Sequence, residues 1–399
     1  MTRTSKRNIE AAYSLSPMQQ GMLFHSLQDP DSGVYHEQTI AALRGGLEIS
    51  AFEKAWQWAV ERHPILRTSF VWKRLDKMLQ VVHRQVTLKL EQLDWRDASP
   101  AEQEMRLETF LQEDQRRGFN PGKAPLMRLA LIRTGEHEYR FVWSHHHLLL
   151  DGWSLPLLIQ EVMAFYHASV RGREIELAPA RPYRDYIAWL QRQDLESAEH
   201  YWRGYLKGFR FPTALTAAQS GTMPCAAACG EGGDNGYALE RGLLPQRIAE
   251  MLRTLAHDQH LTLNTLIQGA WAVLLGRYSG EQDVVFGATV SGRPADLPGA
   301  EAMIGLFINT LPVRVKLTSG AAVVSWLKQL QIHQAEMRQY EYSPLVDVQG
   351  WSEIQRGLPL FESIVVFENY PVEDALQAVG DDDSLEIEAG QHFTRVNYP

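Results

Sequence analysis

Residues 141–154 constrain this chain most: Phe141-Val-Trp-Ser-His-His-His-Leu-Leu-Leu-Asp-Gly-Trp-Ser154. An apolar, aromatic-rich run reads as a buried strand, and it delivers three histidines to its C-terminal end. Asp151-Gly152 then reads as a turn, and Ser154 as the cap of a helix through Leu157, Leu158, Val162 and Phe165. A strand that ends in polar side chains and turns into a helix is where α/β proteins place their chemistry. Alternation puts His145 and His147 on one face and His146 on the other.

Three uses of these histidines stay open on the residues alone. A metal site would draw two imidazoles and Asp151, with no evident completing ligand. Alternatively the rings are polar groups satisfied by backbone at a strand end. In the third reading one imidazole is a general base and the aspartate four positions on fixes the turn.

The rest of the chain repeats the grammar of strands interleaved with helices, which predicts an α/β sandwich. Ser16-Pro17 opens a helix to about Leu27, Ser50 a second, and Ser99-Pro100 a third. Strand-like runs cover Glu37–Leu43, Thr68–Trp72, Met78–Val82, Leu126–Ile132 and Tyr139–His145. In the second half, helices are expected near Pro245–His257, Leu263–Tyr278 and Ala321–Tyr340. Strands are expected over Val284–Val290, Leu306–Val315 and Ser363–Phe367. The aromatic segment Pro182–Lys207 reads as helical, at or just past a domain boundary.

At 399 residues the chain is long for one core, which predicts two lobes, 1–178 and 179–399, the first carrying the histidines. Hydrophobic content of 45% with 22% charged residues describes a globular protein. The longest apolar run, Ala270–Leu275, is far short of the roughly 18 residues of a membrane span. The polar Met1–Ala12 shows no signal-peptide core, so a cytoplasmic location without membrane contact is expected. A net charge of −9 with no concentrated basic run argues against nucleic acid as a partner. Cys225 and Cys229 read as two thiols in a small-residue loop, neither a zinc site nor a disulfide framework. Asp381–Asp383 read as a solvated acidic loop.

The pattern His-His-x-x-x-Asp-Gly at His146, His147, Asp151 and Gly152 resembles the signature of the condensation-domain and chloramphenicol-acetyltransferase-like acyltransferases. Six further segments, in family order, resemble condensation-domain motifs of non-ribosomal peptide synthetases. They are Leu15-Ser-Pro-Met-Gln-Gln-Gly-Met-Leu-Phe-His25, Arg62-His-Pro-Ile-Leu-Arg-Thr-Ser-Phe70, Tyr183-Arg-Asp-Tyr-Ile-Ala-Trp189, Ile304-Gly-Leu-Phe-Ile-Asn-Thr-Leu-Pro-Val-Arg314, Tyr342-Ser-Pro-Leu345 and Phe367-Glu-Asn-Tyr-Pro371. The chain lacks the aspartate-containing motif of heterocyclisation domains and the late Asp-Phe-Gly-Trp-Gly of plant-type acyltransferases. It also differs from epimerisation domains at Gly305–Thr310.

The resemblance implies two acetyltransferase-like α/β sandwich lobes in a V-shaped pseudodimer, with a central cleft or tunnel around His147. It implies amide-bond formation between a donor acyl or peptidyl thioester and an acceptor aminoacyl thioester. Both would arrive on 4'-phosphopantetheine arms of carrier proteins, with no cofactor or metal held by the domain itself. Neighbouring synthetase domains are the other partners, and the domain is expected to be monomeric. His147 is the expected base, or else the group that positions the amine; His146 is structural. Asp151 needs a cation in apolar surroundings, and the resemblance assigns Arg62 to it, with Arg67 the alternative. Gly152 leaves backbone room beside the imidazole, and Asn309 is expected either to make a polar contact across the lobes or to be a strand-edge amide bonded to backbone. The segments 16–25, Arg338–Tyr342 and Gln349–Ser352 resemble domains that accept a D-residue at the donor's end. Two rivals remain: a non-catalytic docking module for carrier proteins, and a coenzyme-A-dependent acyltransferase. Ending at Pro399, the chain is expected to lack the last strands and helix of the family.

Overall fold

Capping residues set several element ends directly. In the computed structural model, which describes residues 8–30, 32–73, 77–214, 240–368 and 385–394, the first half runs β1 (Ile9–Ser14), α1 (Pro17–Gln28), β2 (His36–Gly45), α2 (Ile49–Arg62), β3 (Thr68–Val71), β4 (Leu79–His83), β5 (Leu90–Asp94) and α3 (Pro100–Arg117). It continues through β6 (Met127–Arg133), β7 (Glu138–His146), α4 (Ser154–Val170), α5 (Arg184–Leu190) and α6 (Leu195–Tyr205). Then come α7 (Gln246–Gln259), α8 (Leu263–Ser279), β8 (Asp283–Val290), β9 (Asn309–Lys316), α9 (Val323–Met337), α10 (Leu345–Trp351), β10 (Ile364–Val365) and β11 (Leu385–Phe393).

Ser16 and Ser99 cap α1 and α3 as their pairing with proline predicts, and Ser16 with Gln19 closes a full capping box. Ser50 does not cap α2: the helix starts one residue earlier, after Glu48, with no side-chain cap bond. Ser154 is the first residue of α4 rather than its cap, because its hydroxyl bonds Asp151 and Gly305 instead. The aromatic segment 182–207 is two helices, α5 and α6, broken where Asp194 caps the second. The strand expected from Leu306 begins only at Asn309. Cys225, Cys229, Asp381–Asp383 and the end of the motif at 369–371 lie outside the described residues.

The described residues of Met1–Arg192, Arg293–Ile308 and Glu368–Asn397 form one compact unit, and those of Gln193–Gly292 and Asn309–Phe367 form another. The first unit therefore runs on to Arg192, past the cut expected after residue 178, and draws in two further segments from the second half. Each has a physical reason: β11 closes the free edge of β2, and Arg293 pairs with Asp151.

In the first unit, a five-stranded sheet has the order β11-β2-β7-β6-β5, antiparallel except for the parallel β5–β6 pair. A second sheet has the order β1-β4-β3. Phe141 and Trp143 of β7 pack on one face with Phe52 and Trp56 of α2 and Tyr166 of α4. Val142 points to the other face, against Leu107 of α3. Burial on both faces explains why β7 reads as an unbroken apolar run rather than an alternating one. The register sets His146 opposite His36 and His145 opposite Glu37, so β7 ends among polar side chains buried by their neighbours.

The second unit has a three-stranded sheet, β10-β8-β9, with Phe286 and Leu311 packed against Trp202 of α6, Leu275 of α8 and Leu330 of α9.

Candidate active site

The site is the turn between β7 and α4, and its backbone is held at nearly every step. The His147 amide donates to the Tyr35 carbonyl at 2.9 Å, Leu149 N–H to the His146 carbonyl at 3.0 Å and Asp151 N–H to the Gly305 carbonyl at 3.1 Å. Tyr35 itself sits at φ 62, a left-handed conformation costly for a non-glycine residue and maintained here by what surrounds it. Leu148, Leu149 and Leu150 are fully buried, so the loop is anchored by apolar side chains as well as by its amides.

His147 is half-buried, and its Nδ1 lies 2.6 Å from the Leu150 carbonyl. A carbonyl only accepts, so Nδ1 carries the hydrogen. In the neutral ring Nε2 is then left with a lone pair. His146 has the opposite tautomer. Its Nδ1 accepts from Leu148 N–H at 3.1 Å, so Nε2–H donates to Ser26 Oγ at 3.2 Å, and Ser26 donates on to the Met22 carbonyl. Burial pushes the His146 pKa down to about 3, with His147 adding to the effect, so the ring stays neutral. His145 stacks on Trp143 with ring centroids 4.9 Å apart, and burial brings it down to about 3 as well. Of three adjacent histidines, two are buried on opposite faces and the third closes the loop.

Asp151 is 1% exposed and its carboxylate is saturated. Oδ1 accepts from Ser154 N–H at 2.9 Å, Ser154 Oγ at 2.7 Å and Arg293 Nη2 at 3.0 Å, while Oδ2 accepts from Phe307 N–H at 3.0 Å. Arg293 also donates to the carbonyls of Ala300 at 2.6 Å and Met303 at 2.9 Å, and lies over the Phe307 ring at 4.1 Å. The cation of Asp151 is thus neither Arg62 nor Arg67. Arg62 ends α2 and pairs with Glu161 at 3.0 Å, joined there by His63 at 2.5 Å and by the Ala178 carbonyl on Arg62. Glu161 is seven residues along α4 from Ser154, about 10 Å up the helix, which puts Arg62 out of reach of Asp151. Arg67 is buried and pairs with Glu10 at 2.6 Å, donating also to the carbonyls of Val60 and His83.

Gly152 lies in the turn entering α4. Asn309 sits in the second unit at the start of β9, where its amide donates to Glu341 and Ser343 carbonyls at 2.8 Å each and accepts from Thr310 N–H at 2.9 Å. That is the backbone-bonded strand-edge amide, the plainer of its two expected roles. For the metal alternative, Asp151 would have to give up bonds on both oxygens. Among the described residues no group of three or more His, Cys, Asp or Glu is placed to hold a metal ion.

Two features were missed from sequence. Arg293 is the sole cation of the loop 291–301, and a buried aspartate demanded one. Glu37, 3% exposed, accepts from His392 Nε2 at 2.9 Å and Thr394 Oγ1 at 2.6 Å. Burial alone would raise the Glu37 carboxyl; nearby His147, the hydrogen bond from His392 and the charge on that ring hold it down at about 2. No signal in one sequence places residue 392 beside residue 37. Among the described residues no helix is long and apolar enough to cross a membrane.

A family model described as "Condensation domain" matches residues 9–398. One component of the linear gramicidin synthase of Brevibacillus parabrevis is 49% identical over 401 residues, covering 98% of this chain and 8% of that protein. Another component of the same synthase is 52% identical over 364 residues, covering 91% of this chain and 7% of that protein. Surfactin synthase subunit 3 of Bacillus subtilis (strain 168) is 34% identical across 100% of this chain and 30% of its own length. The chain thus spans less than a tenth of the gramicidin synthase components it matches. Among solved structures, a mutant of the starter condensation domain of rhizomide synthetase superposes with a TM-score of 0.73 at 19% identity, over 97% of this chain and 83% of that one. The first condensation domain of the calcium-dependent antibiotic synthetase gives 0.72 at 19% identity, over 95% and 85%. These likenesses establish the mixed α/β fold that the alternating strands and helices predict.

Proposed function

Since this chain belongs to the condensation-domain family, we propose that it forms an amide bond between two thioesters carried on the phosphopantetheine arms of carrier proteins. The acceptor's amine nitrogen attacks the donor's thioester carbonyl, the carbon–sulfur bond breaks, and the donor arm leaves as a thiolate. The amine proton passes to Nε2 of His147 and from there to the leaving sulfur, so the ring returns to its starting state. The observation that carries this reading is the bond from His147 Nδ1–H to Leu150, which leaves Nε2 as the acceptor.

A free α-amine has a pKa of about 7.7–8.0, so much of it is already neutral near pH 7.5. The demand on the base is therefore modest, and alignment of the two ends with exclusion of water supplies the rest. The same lone pair would also serve to hold the amine in place without abstracting its proton. Asp151 enters as a fold element: every bond it accepts ties the turn to Arg293, Ser154 or residues 305–307.

For the donor we assign a D-configured residue at the thioester end, on the resemblance of segments 16–25, 338–342 and 349–352 to such domains. The test supplies donor and acceptor as carrier-protein thioesters, as pantetheine thioesters and as coenzyme-A thioesters, in D and L forms, and detects amide by mass. Amide from the carrier-bound pair, faster with the D donor, is the expected result. Product from free coenzyme-A thioesters alone would make this a small-molecule acyltransferase, and binding without any product would make it a docking module.

A further inference from the structure

Gln19 of α1 is fully buried, with side-chain groups that serve more than its own helix. Its Oε1 accepts from Ser16 N–H at 3.0 Å, closing the capping box, and from Gln80 Nε2 at 3.1 Å. Its Nε2 donates to the Leu148 carbonyl at 3.0 Å, 129 residues away. Gln80, also fully buried, is fixed in turn by donating to the Ser14 carbonyl at 2.9 Å. The orientation of the Gln19 amide is therefore dictated: the oxygen faces two donors, and the nitrogen faces the Leu148 carbonyl, with Gln80 Oε1 a longer second acceptor at 3.5 Å. That carbonyl belongs to the residue directly after His147 and lies between it and its acceptor Leu150.

We infer that Gln19 is a positioning residue for His147, its amide pinning the Leu148 carbonyl so that the loop curls back and presents the Leu150 carbonyl to Nδ1. The inference rests on His147 acting through Nε2. Without the Gln19 donor, the buried Leu148 carbonyl loses that partner, and its peptide plane is held only by the Leu149 N–H bond to the His146 carbonyl, so it tilts toward another donor. The ring then loses the acceptor that fixes its tautomer. Displacement of a catalytic group by about 1 Å is enough to cost on the order of a hundredfold in rate.

The test compares Gln19→Met, Gln19→Glu, Ser16→Ala and His147→Ala with the unaltered chain, using carrier-bound substrates. Ser16→Ala weakens the same helix cap while leaving the clamp in place. Gln19→Glu keeps an oxygen for the Ser16 amide but has no N–H for Leu148. Expected are a kcat lower by about tenfold to a hundredfold in both Gln19 variants, with KM nearly unchanged, and near-normal turnover in Ser16→Ala. With 15N-labelled histidine, the Nδ1–H form of His147 should dominate in the unaltered chain and Ser16→Ala, and give way to mixed tautomers in folded Gln19 variants. Normal kcat and an intact Nδ1–H signal in the Gln19 variants, with His147→Ala inactive, would overturn this inference alone. Full turnover in His147→Ala would overturn the base reading beneath it. If both Gln19 variants fail to fold while Ser16→Ala folds, Gln19 is a structural residue and the positioning role is rejected.

Discussion

At Asp151 the sequence predicts a carboxylate that fixes the turn and needs a cation, and its four hydrogen bonds come from Ser154, Phe307 and Arg293. Asp151→Asn keeps the shape and removes the charge facing a guanidinium whose side chain is 8% exposed. Breaking one side of a buried ion pair costs about 3–5 kcal/mol, because the other charge stays buried without compensation. Urea unfolding should show a markedly lower midpoint with an unchanged slope, and the double variant Asp151→Asn with Arg293→Met should recover part of the loss. An Asp151→Asn protein as stable as its parent, but inactive, would return the aspartate to the chemistry. His146 and His147 show how neighbours in sequence take opposite roles: one accepts a loop amide at Nδ1, the other donates to a loop carbonyl from the same atom.

Between elements, the close approach of α5 to residues 304–307 depends on a glycine. A Cβ built at Gly305 would lie 2.2 Å from Cδ2 of Tyr183, a fully buried ring whose hydroxyl donates to the Leu306 carbonyl. Gly305→Ala therefore has to push an anchored ring, and overpacking of this kind costs about 1–3 kcal/mol. Thermal unfolding checks it: a lowered midpoint is expected, relieved when Tyr183→Leu is added, and an unchanged midpoint contradicts the packing.

Elements whose ends are written locally were legible in the sequence: Ser-Pro pairs start α1 and α3, and the run 141–146 becomes a strand buried on both faces. Helix α2 was legible by its apolar stripe but not at its start, since no side chain caps it. The histidine turn was placed correctly because its pattern is local. Its supports were not, because Arg293 and Asp151 stand 142 residues apart and Gln19 and Leu148 129. The assignment of Arg62 failed for the same reason: which cation reaches a buried carboxylate is fixed by packing.

For the molecule as a whole, the buried rings make stability fall in acid. His145 and His146 have folded pKa values of about 3 against an ordinary 6.5, so below pH 6.5 the unfolded chain binds more protons than the folded one. Their contribution is whole above pH 6.5 and is lost as the pH falls toward 3, by up to about 1.4 kcal/mol per pH unit for each ring. Glu37, held down at about 2, and Asp114, held down by His36 and Arg128 against the effect of its burial, add losses of the same sign below the ordinary carboxylate range. His392 acts oppositely. Although its burial favours the neutral ring, the Glu37 carboxylate raises it, so its contribution is present in acid and is lost as the pH rises through the raised value. The expected result is an unfolding midpoint that drops steadily from pH 6.5 to 4.5. A midpoint constant over that range would mean these rings become protonated in the fold.

The role of His147 Nε2 is tested most directly by single-turnover amide formation in His147→Ala with carrier-bound donor and acceptor. A base at this position predicts a rate lower by about a hundredfold to ten-thousandfold at saturating substrate, with the fold intact. A rate within a few-fold of the unaltered chain would contradict the assignment and leave the reaction to alignment of the two thioesters alone.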